Sequence, residues 1–199
     1  MIHNDERFHQ AVQDCVEGLE QRTAAELVVV SAPRSGSYRD LSLLLGVCAA
    51  ACLLLFAVFS PWQVDPAWLP VELLAAFGLF SWIGESPLVL RWLGDRERQE
   101  RQVRQAAAAA FHTEQVHATR QRVGVLVYVS ALERRVELIA DHRVEERVPR
   151  ADWNLVHWRA DDLDGFLAGL RQVGAILAEH LPASEARDNQ LPDAPRVHE

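Results

Sequence analysis

The chain has 199 residues, 49% of them apolar, and a formal net charge of −8. This length allows one domain of ordinary size, or a smaller domain joined to a membrane segment. The acidic balance argues against general nucleic-acid binding, which needs a basic surface.

Residues 1–39 predict a helix followed by a buried strand. Met1–Glu20 is polar and charged where a signal peptide needs an apolar stretch, so we expect the N-terminus to stay in the cytoplasm. After a cap at Asn4 or Asp5, apolar residues recur at the spacing of one helix face. These residues are Phe8, Val12, Cys15, Val16 and Leu19. Glu26–Ser31 is a β-branched run typical of a strand covered on both faces.

Residues 40–93 predict a hairpin of two transmembrane helices. Leu41–Ser60 has no charged residue and, at about 1.5 Å per residue, spans a hydrocarbon core of roughly 30 Å. The second segment, Trp68–Ile83 with an extension to Trp92, carries Glu72 and Glu85 near its ends. A charge in mid-membrane costs at least ~2.5 kcal/mol, so we expect both carboxylates to reach the headgroups.

The arginines predict the orientation of this hairpin. The connecting loop Pro61–Ala67 has no basic residue, whereas the other ends of both helices are flanked by arginines. These are Arg34, Arg39, Arg91, Arg96, Arg98, Arg101 and Arg104. The positive-inside rule therefore predicts a multi-pass inner (plasma) membrane protein with both termini in the cytoplasm. The predicted helix boundaries carry an aromatic belt of Trp62, Trp68, Trp82 and Trp92.

Residues 94–182 predict a helix and two strands, followed by further helices. Asp95–Gln121 has the apolar stripe of a long helix, and Gly124–Ser130 is a second buried strand. Arg135–Asp141 alternates as a third strand. The short link Ala131–Arg134 permits a hairpin between these two strands and excludes a parallel crossover.

The C-terminal part predicts a short helix near Arg150–Trp158 and a last helix from a cap at Asp161 or Asp162 to Leu181. Residues 183–199 lack hydrophobic periodicity and are predicted to be a disordered tail.

Together these elements predict a three-layer α/β/α sandwich with a small mixed sheet, interrupted by the transmembrane hairpin. The first two strands are parallel because the connection between them contains a helix, and the third is antiparallel to the second. The pieces 1–39 and 94–182 form one domain, and residues 40–93 form the hairpin.

The strand segments of this domain resemble the TPM domain, and more narrowly its bacterial integral-membrane branch. The resemblance lies in Thr23–Val29 (TAAELVV), in Thr119–Asp141 (TRQRVGVLVYVSALERRVELIAD), in Val148–Pro149 and in Trp153. It covers nearly the whole chain apart from the tail, including the place where the hairpin is inserted.

The resemblance implies a fold and a membrane context more than one reaction. Members of the family include a thylakoid lumen protein implicated in photosystem II repair, with acid phosphatase activity attributed to it, and an accessory protein of a nematode acetylcholine receptor. Some members bind calcium. Where relatives carry a glycine soon after the aspartate, this chain has His142–Arg143.

The carboxyl ends of the two parallel strands are the expected ligand crevice. They lie at Ser31–Tyr38 and Ser130–Arg134, and the first leads directly into an apolar helix. We therefore expect this crevice to face the bilayer or a membrane-embedded partner.

Three carboxylates are candidate ligands for a divalent metal, either calcium or magnesium: Glu133, Asp141 and Glu26. Arg134 could bind a phosphate. Structural roles stay open for all four residues: solvating a turn for Glu133 and Arg134, ending a strand for Asp141, and a structural hydrogen bond or an ion pair with a helix arginine for Glu26. The candidate interaction residues are Ser130, Arg134 and Trp153.

Two functions follow as hypotheses. The first is an interaction module that helps to assemble or repair a membrane complex, with the lipid bilayer and a membrane protein as partners and no nucleic acid. The alternative is a divalent-metal-dependent phosphatase. The sequence contains no P-loop, dinucleotide-binding fingerprint, Gly-x-Ser-x-Gly elbow or metalloprotease motif, which lowers the expectation of an enzyme.

Overall fold

A computed structural model of the chain describes residues 6–61, 65–119, 121–159, 162–183 and 194–197. The chain divides into two compact units. The sheet unit comprises Met1–Ser35 and Gln99–Glu199, and the hairpin unit is Gly36–Arg98. The boundaries predicted from the sequence lie after residues 39 and 93.

The sheet unit is built on a small mixed sheet with the strand order β3-β2-β1-β4. β1 (Glu26–Ala32) pairs in parallel with β2 (Gly124–Ser130). β2 pairs in antiparallel with β3 (Arg135–Ala140) through the short link predicted to form a hairpin. The predicted mixed α/β class and the directions of these three strands are confirmed.

The fourth strand was not predicted. β4 (Arg196–Val197) pairs in parallel with Val30 and Ser31 of β1. The prediction of a disordered tail is wrong for these two residues, and residues 184–193, 198 and 199 lie outside the described ones. A strand of two residues is too short to show a hydrophobic periodicity in the sequence. Its formation depends on pairing with the free edge of β1.

Helices cover both faces of the sheet. On one face, the buried side chains of α1 (Glu6–Glu20) and α8 (Leu163–His180) pack against Leu27, Val29 and alternate residues of β2. On the other face, α5 (Arg96–Thr113) packs against the opposite set of strand residues. That set comprises Val28, Val30, Ala32, Leu126 and Tyr128. β1 and β2 are buried along their whole length, as their continuous β-branched runs predict.

Several helices differ from their predicted bounds. α5 ends at Thr113 instead of Gln121, because Gln115 adopts a left-handed conformation with φ of 57° and starts a 3₁₀ turn at Val116–Ala118. A helix that was not predicted, α6 (His142–Arg147), follows β3. α7 is limited to Arg150–Trp153.

The caps of these helices were partly anticipated. The side chain of Asp162 caps α8 by accepting a hydrogen bond from the Gly165 amide. Asp161, the alternative cap, and the predicted caps Asn4 and Asp5 of α1 lie outside the described residues.

The hairpin unit contains α2 (Arg39–Phe59), α3 (Leu69–Gly84) and α4 (Pro87–Leu93). α2 and α3 are antiparallel: Gly46 of α2 lies against Phe77 and Ser81, whereas Gly84 lies against Ser42. By length and composition α2 could cross a membrane, with a mean hydropathy of 2.7, whereas α3 is shorter. The predicted extension of the second segment to Trp92 is interrupted at residues 85 and 86, because Pro87 begins a separate helix.

Candidate functional site

A buried carboxylate marks the carboxyl ends of β1 and β2. Glu133 lies in the turn between β2 and β3 and is 8% exposed. It accepts a hydrogen bond from the Ser130 hydroxyl, at the end of β2. The Ser35 amide, beyond β1, lies 3.3 Å from both of its carboxylate oxygens. Glu133 therefore ties the turn after β2 to the segment that leaves β1.

Tyr128 extends this cluster into the core. Its hydroxyl accepts a hydrogen bond of 3.2 Å from the Ser35 hydroxyl. Burial raises the pKa of Tyr128, the hydrogen bond from Ser35 lowers it, and the negative charge of Glu133 raises it again. The net direction is upward, so the phenol stays neutral well above physiological pH.

The arrangement stabilises a loop and does not present a nucleophile. Ser130 has a relative exposure of 0%, so its hydroxyl cannot meet a substrate. Both oxygens of Glu133 already accept hydrogen bonds within the protein. Backbone bonds hold the same turn: the amides of Ala131 and Leu132 donate to the carbonyls of Ala32 and Pro33.

The other two predicted metal ligands lie at the opposite end of the sheet. The Asp141 amide donates to the Gly124 carbonyl, and Glu26 is in register with the same glycine. Arg134 and the six residues of β3 separate Asp141 from Glu133, and β3 alone spans about 20 Å at roughly 3.3 Å per residue. The three carboxylates therefore do not form one metal site.

Glu26 and Asp141 share an end of the sheet but do not converge. Two strand spacings separate them, about 10 Å between their Cα atoms. A Cβ built on Gly124, which lies between them, would lie 2.3 Å from the Val116 carbonyl oxygen. Among the described residues, no group of three or more His, Cys, Asp or Glu side chains is placed to hold a metal ion.

Asp141 has a structural role in α6. One of its carboxylate oxygens accepts a hydrogen bond of 2.7 Å from the His142 amide and caps the helix. The other is buried without a hydrogen bond, 3.8 Å from the Arg122 guanidinium. His142 and Arg143 therefore belong to the first turn of α6.

The three predicted interaction residues do not lie on one surface. Ser130 is buried, whereas Arg134 is exposed in the adjacent turn with a left-handed φ of 52°. Trp153 lines a groove of about 560 Å³ beside β3, together with Leu138, Ala140 and other residues. The crevice at the carboxyl ends and this groove are separate features of the sheet unit.

Two members of the Glu133 cluster, Ser35 and Tyr128, were not predicted as site residues. Tyr128 carries a side-chain hydroxyl among the otherwise apolar residues 124–129 of β2, and that was an available signal. Ser35 has no such signal. Its contact with Glu133 depends on the parallel pairing of β1 with β2, which brings together segments far apart in sequence.

Comparisons with known proteins identify a fold and no family. No protein family and no curated protein matches the chain. A similar solved structure is the NMR structure of the BA42 protein from the psychrophilic bacterium Bizionia argentinensis, with a TM-score of 0.57 and 14% sequence identity. The match covers 98% of this chain and 94% of that chain. At this identity the likeness shows the fold alone.

Proposed function

We propose that the chain is a membrane-anchored, TPM-like α/β domain that binds a membrane protein and helps to assemble or repair its complex. The observation that carries this proposal is the apolar surface of the hairpin unit. Within the 18 most apolar consecutive residues of α2, only 11% are buried. Soluble monomers rarely expose a continuous apolar patch larger than a few hundred Å², so the bilayer is the natural surrounding of this helix.

The contact between α2 and α3 supports insertion of both helices. A Cβ built on Gly46 would lie 2.7 Å from the Phe77 carbonyl oxygen, and one on Gly84 would lie 2.8 Å from the Ser42 Cα. Such close approach through small residues is typical of helix pairs in membranes, where van der Waals packing drives association.

Tryptophans and arginines support the proposed placement in an inner membrane. The described tryptophans of the aromatic belt are all strongly exposed: Trp68, Trp82 and Trp92. Trp62 lies outside the described residues. Together with the arginines at the open end of the hairpin, they favour a multi-pass topology with both termini in the cytoplasm.

The chemistry of the sheet unit favours binding over catalysis. Glu133 accepts hydrogen bonds from Ser130 and Ser35, and it lies far from Asp141. The phosphatase hypothesis therefore lacks a cluster of carboxylates that could hold a metal ion. The exposed Arg134, beside the crevice, offers a charged contact for a partner or an anionic lipid headgroup.

Membrane insertion and topology are tested on the full chain in a bacterial membrane. We expect the protein to resist extraction by alkaline carbonate, and a fluorescent reporter fused to its C-terminus to report the cytoplasm. Release by carbonate would overturn the membrane anchor. A C-terminus in the periplasm would overturn the proposed topology alone.

Partner binding is tested by affinity capture from gently solubilised membranes, comparing Arg134→Glu with Arg171→Glu, an exposed charge reversal on α8. We expect a membrane protein that is captured by the parent chain and by Arg171→Glu and is lost with Arg134→Glu. Recovery of no such protein contradicts the module.

A calcium- or magnesium-dependent rise in the melting temperature, removed by Asp141→Asn, would favour the metal-dependent alternative.

A further inference from the structure

Two histidines come together at the C-terminal end of α5. His112 and His117 are five residues apart in the sequence. On one continuous helix they would lie about 140° apart, at about 100° per residue, and would face different directions. α5 instead ends at Thr113, and Gln115 adopts a left-handed conformation that turns the chain. As a result, the two imidazole rings lie with their centres 5.0 Å apart and their planes at 57°.

The backbone of this turn is held in place from several sides. Val116, between the two histidines, is fully buried in the core between α5 and the sheet. The Gln115 amide donates a hydrogen bond to the His112 carbonyl, and the Arg122 guanidinium donates one of 2.9 Å to the His117 carbonyl. The backbone positions of both histidines are therefore fixed in advance, which lowers the entropic cost of binding a ligand between them.

One ring nitrogen of this pair is buried without a partner. The Nδ1 atom of His117 has no hydrogen bond to any residue that the structure describes. A buried imidazole nitrogen normally donates, accepts or binds a metal ion, so an unpaired one needs an explanation. The Phe111 ring centre lies 5.8 Å from that of His112 and 6.2 Å from that of His117. Packing against Phe111 accounts for the burial of the rings, but it gives the nitrogen no partner.

The spacing of the two rings matches a tetrahedral zinc ion. Zinc binds an imidazole nitrogen at about 2.0–2.1 Å, which places the ring centre roughly 3.2 Å from the ion. Two such rings at a tetrahedral angle have their centres roughly 5.2 Å apart, and at a right angle roughly 4.5 Å apart. The observed 5.0 Å is nearer to the tetrahedral value. Calcium and magnesium prefer oxygen ligands, so a pair of imidazoles selects a transition metal.

We propose that His112 and His117 bind a divalent transition-metal ion of the zinc class, which joins the last turn of α5 to the 3₁₀ turn. Among the described residues, no third histidine, cysteine or carboxylate completes a metal-binding group with them. The nearby carboxylate of Glu114 is held by Arg196. The pair therefore acts as a two-nitrogen chelate, and the other two tetrahedral positions go to water or to a side chain of a partner. Its nitrogen ligands distinguish this site from the calcium or magnesium site of the phosphatase alternative.

Calorimetric titration of the full chain with zinc, in mild detergent, tests the site. We expect His112→Gln to weaken zinc binding at least about tenfold, because one of the two protein ligands is lost. His112 is exposed, so this substitution leaves the core intact. The matched control is His142→Gln, which removes an exposed histidine on α6 and should bind zinc like the parent chain. Excess magnesium should not displace the zinc.

A second variant separates metal binding from the packing of the rings. His117→Phe keeps an aromatic ring beside Phe111 and removes both nitrogens, so we expect it to lose zinc binding as His112→Gln does. In the parent chain, zinc should also slow the exchange of the Gln115 and Ala118 amides, which form hydrogen bonds within the turn. The amides of β2 should exchange at the same rate with and without zinc.

Three outcomes would overturn the proposal. The first is a parent chain that binds no zinc. The second is zinc affinity that is undiminished in both His112→Gln and His117→Phe, or diminished equally by His142→Gln. The third is zinc-dependent protection of amides elsewhere in the chain and not at Gln115 and Ala118.

Discussion

At the scale of single residues, Glu133 shows how a buried carboxylate can be a structural group. It accepts hydrogen bonds from the Ser130 hydroxyl and the Ser35 amide, which belong to the two parts of the chain that the hairpin separates. A hydrogen bond to a charged group contributes about 1.5–3 kcal/mol, and an orphaned buried donor costs about as much.

We expect Glu133→Ala to lower the free energy of unfolding of the sheet unit by about 2–3 kcal/mol, because it removes the acceptor of both donors. Urea titration of the full chain in mild detergent measures this loss. Glu133→Gln keeps a side-chain acceptor and should cost less. Glu146→Ala, at an exposed site on α6, is the control and should change stability by no more than about 0.5 kcal/mol. An equal effect of Glu133→Ala and Glu146→Ala would contradict the structural role.

Tyr128 predicts a loss of stability in alkali. Its pKa is raised in the folded protein, chiefly by burial, so the folded state holds the phenolic proton more tightly than the unfolded state does. This contribution to stability is fully present below the unfolded pKa of about 10 and is lost as the pH rises through the folded pKa. We expect the free energy of unfolding to fall less steeply above pH 10 in Tyr128→Phe than in the parent chain, and identical slopes would refute the prediction.

At the scale of elements, two glycines in the hairpin helices have opposite surroundings. Gly46 allows α2 to approach the Phe77 carbonyl, whereas Gly78, on α3, has open space around the position of a Cβ. The two glycines therefore separate the packing cost of a side chain from the general preference of helices for alanine over glycine.

We expect Gly46→Ala to destabilise the α2–α3 pair, because the added Cβ would meet backbone atoms that cannot move independently of their helix. Gly78→Ala should be neutral or stabilising by up to about 1 kcal/mol, since alanine is the better helix former. Unfolding of the full chain in mixed micelles with increasing dodecyl sulfate measures both changes. Equal shifts for the two variants would show that α2 and α3 do not pack at Gly46.

At the scale of the whole molecule, the sheet unit is completed from both ends of the sequence. β1 comes from the N-terminal piece, β2 and β3 from the second piece, and β4 from the last residues of the chain. Arg196 of β4 forms an ion pair with the carboxylate of Glu114, which follows α5. The side chains of Arg196 and Glu114 are 26% and 12% exposed, so this pair is partly buried.

We expect Arg196→Ala to lower the free energy of unfolding of the sheet unit by about 1–2 kcal/mol, because partly buried pairs contribute more than exposed ones. The matched control is Arg159→Ala, which removes the more exposed pair with Asp162 and should cost about 0.5 kcal/mol or less. Both are measured by urea titration, and a smaller loss for Arg196→Ala than for Arg159→Ala would argue against the docking of β4.

The sequence by itself determined the elements whose signals are local. β1 and β2 are continuous β-branched runs, the link of residues 131–134 is too short for anything but a hairpin, and Asp162 precedes an amphipathic helix. The apolar segment around α2 is equally local. In each case neighbouring residues carry the information, because helix and strand periodicities and end signals act over a few residues.

Only the tertiary structure decided which distant residues meet. It separated Glu133 from Asp141 and Glu26, joined Glu133 to Ser35, and paired β4 with β1. It also made Asp141 a helix cap and left the β3 edge facing outward. These outcomes depend on strand order and register, which arise from burying two helix layers on one sheet and leave no periodic trace in the sequence.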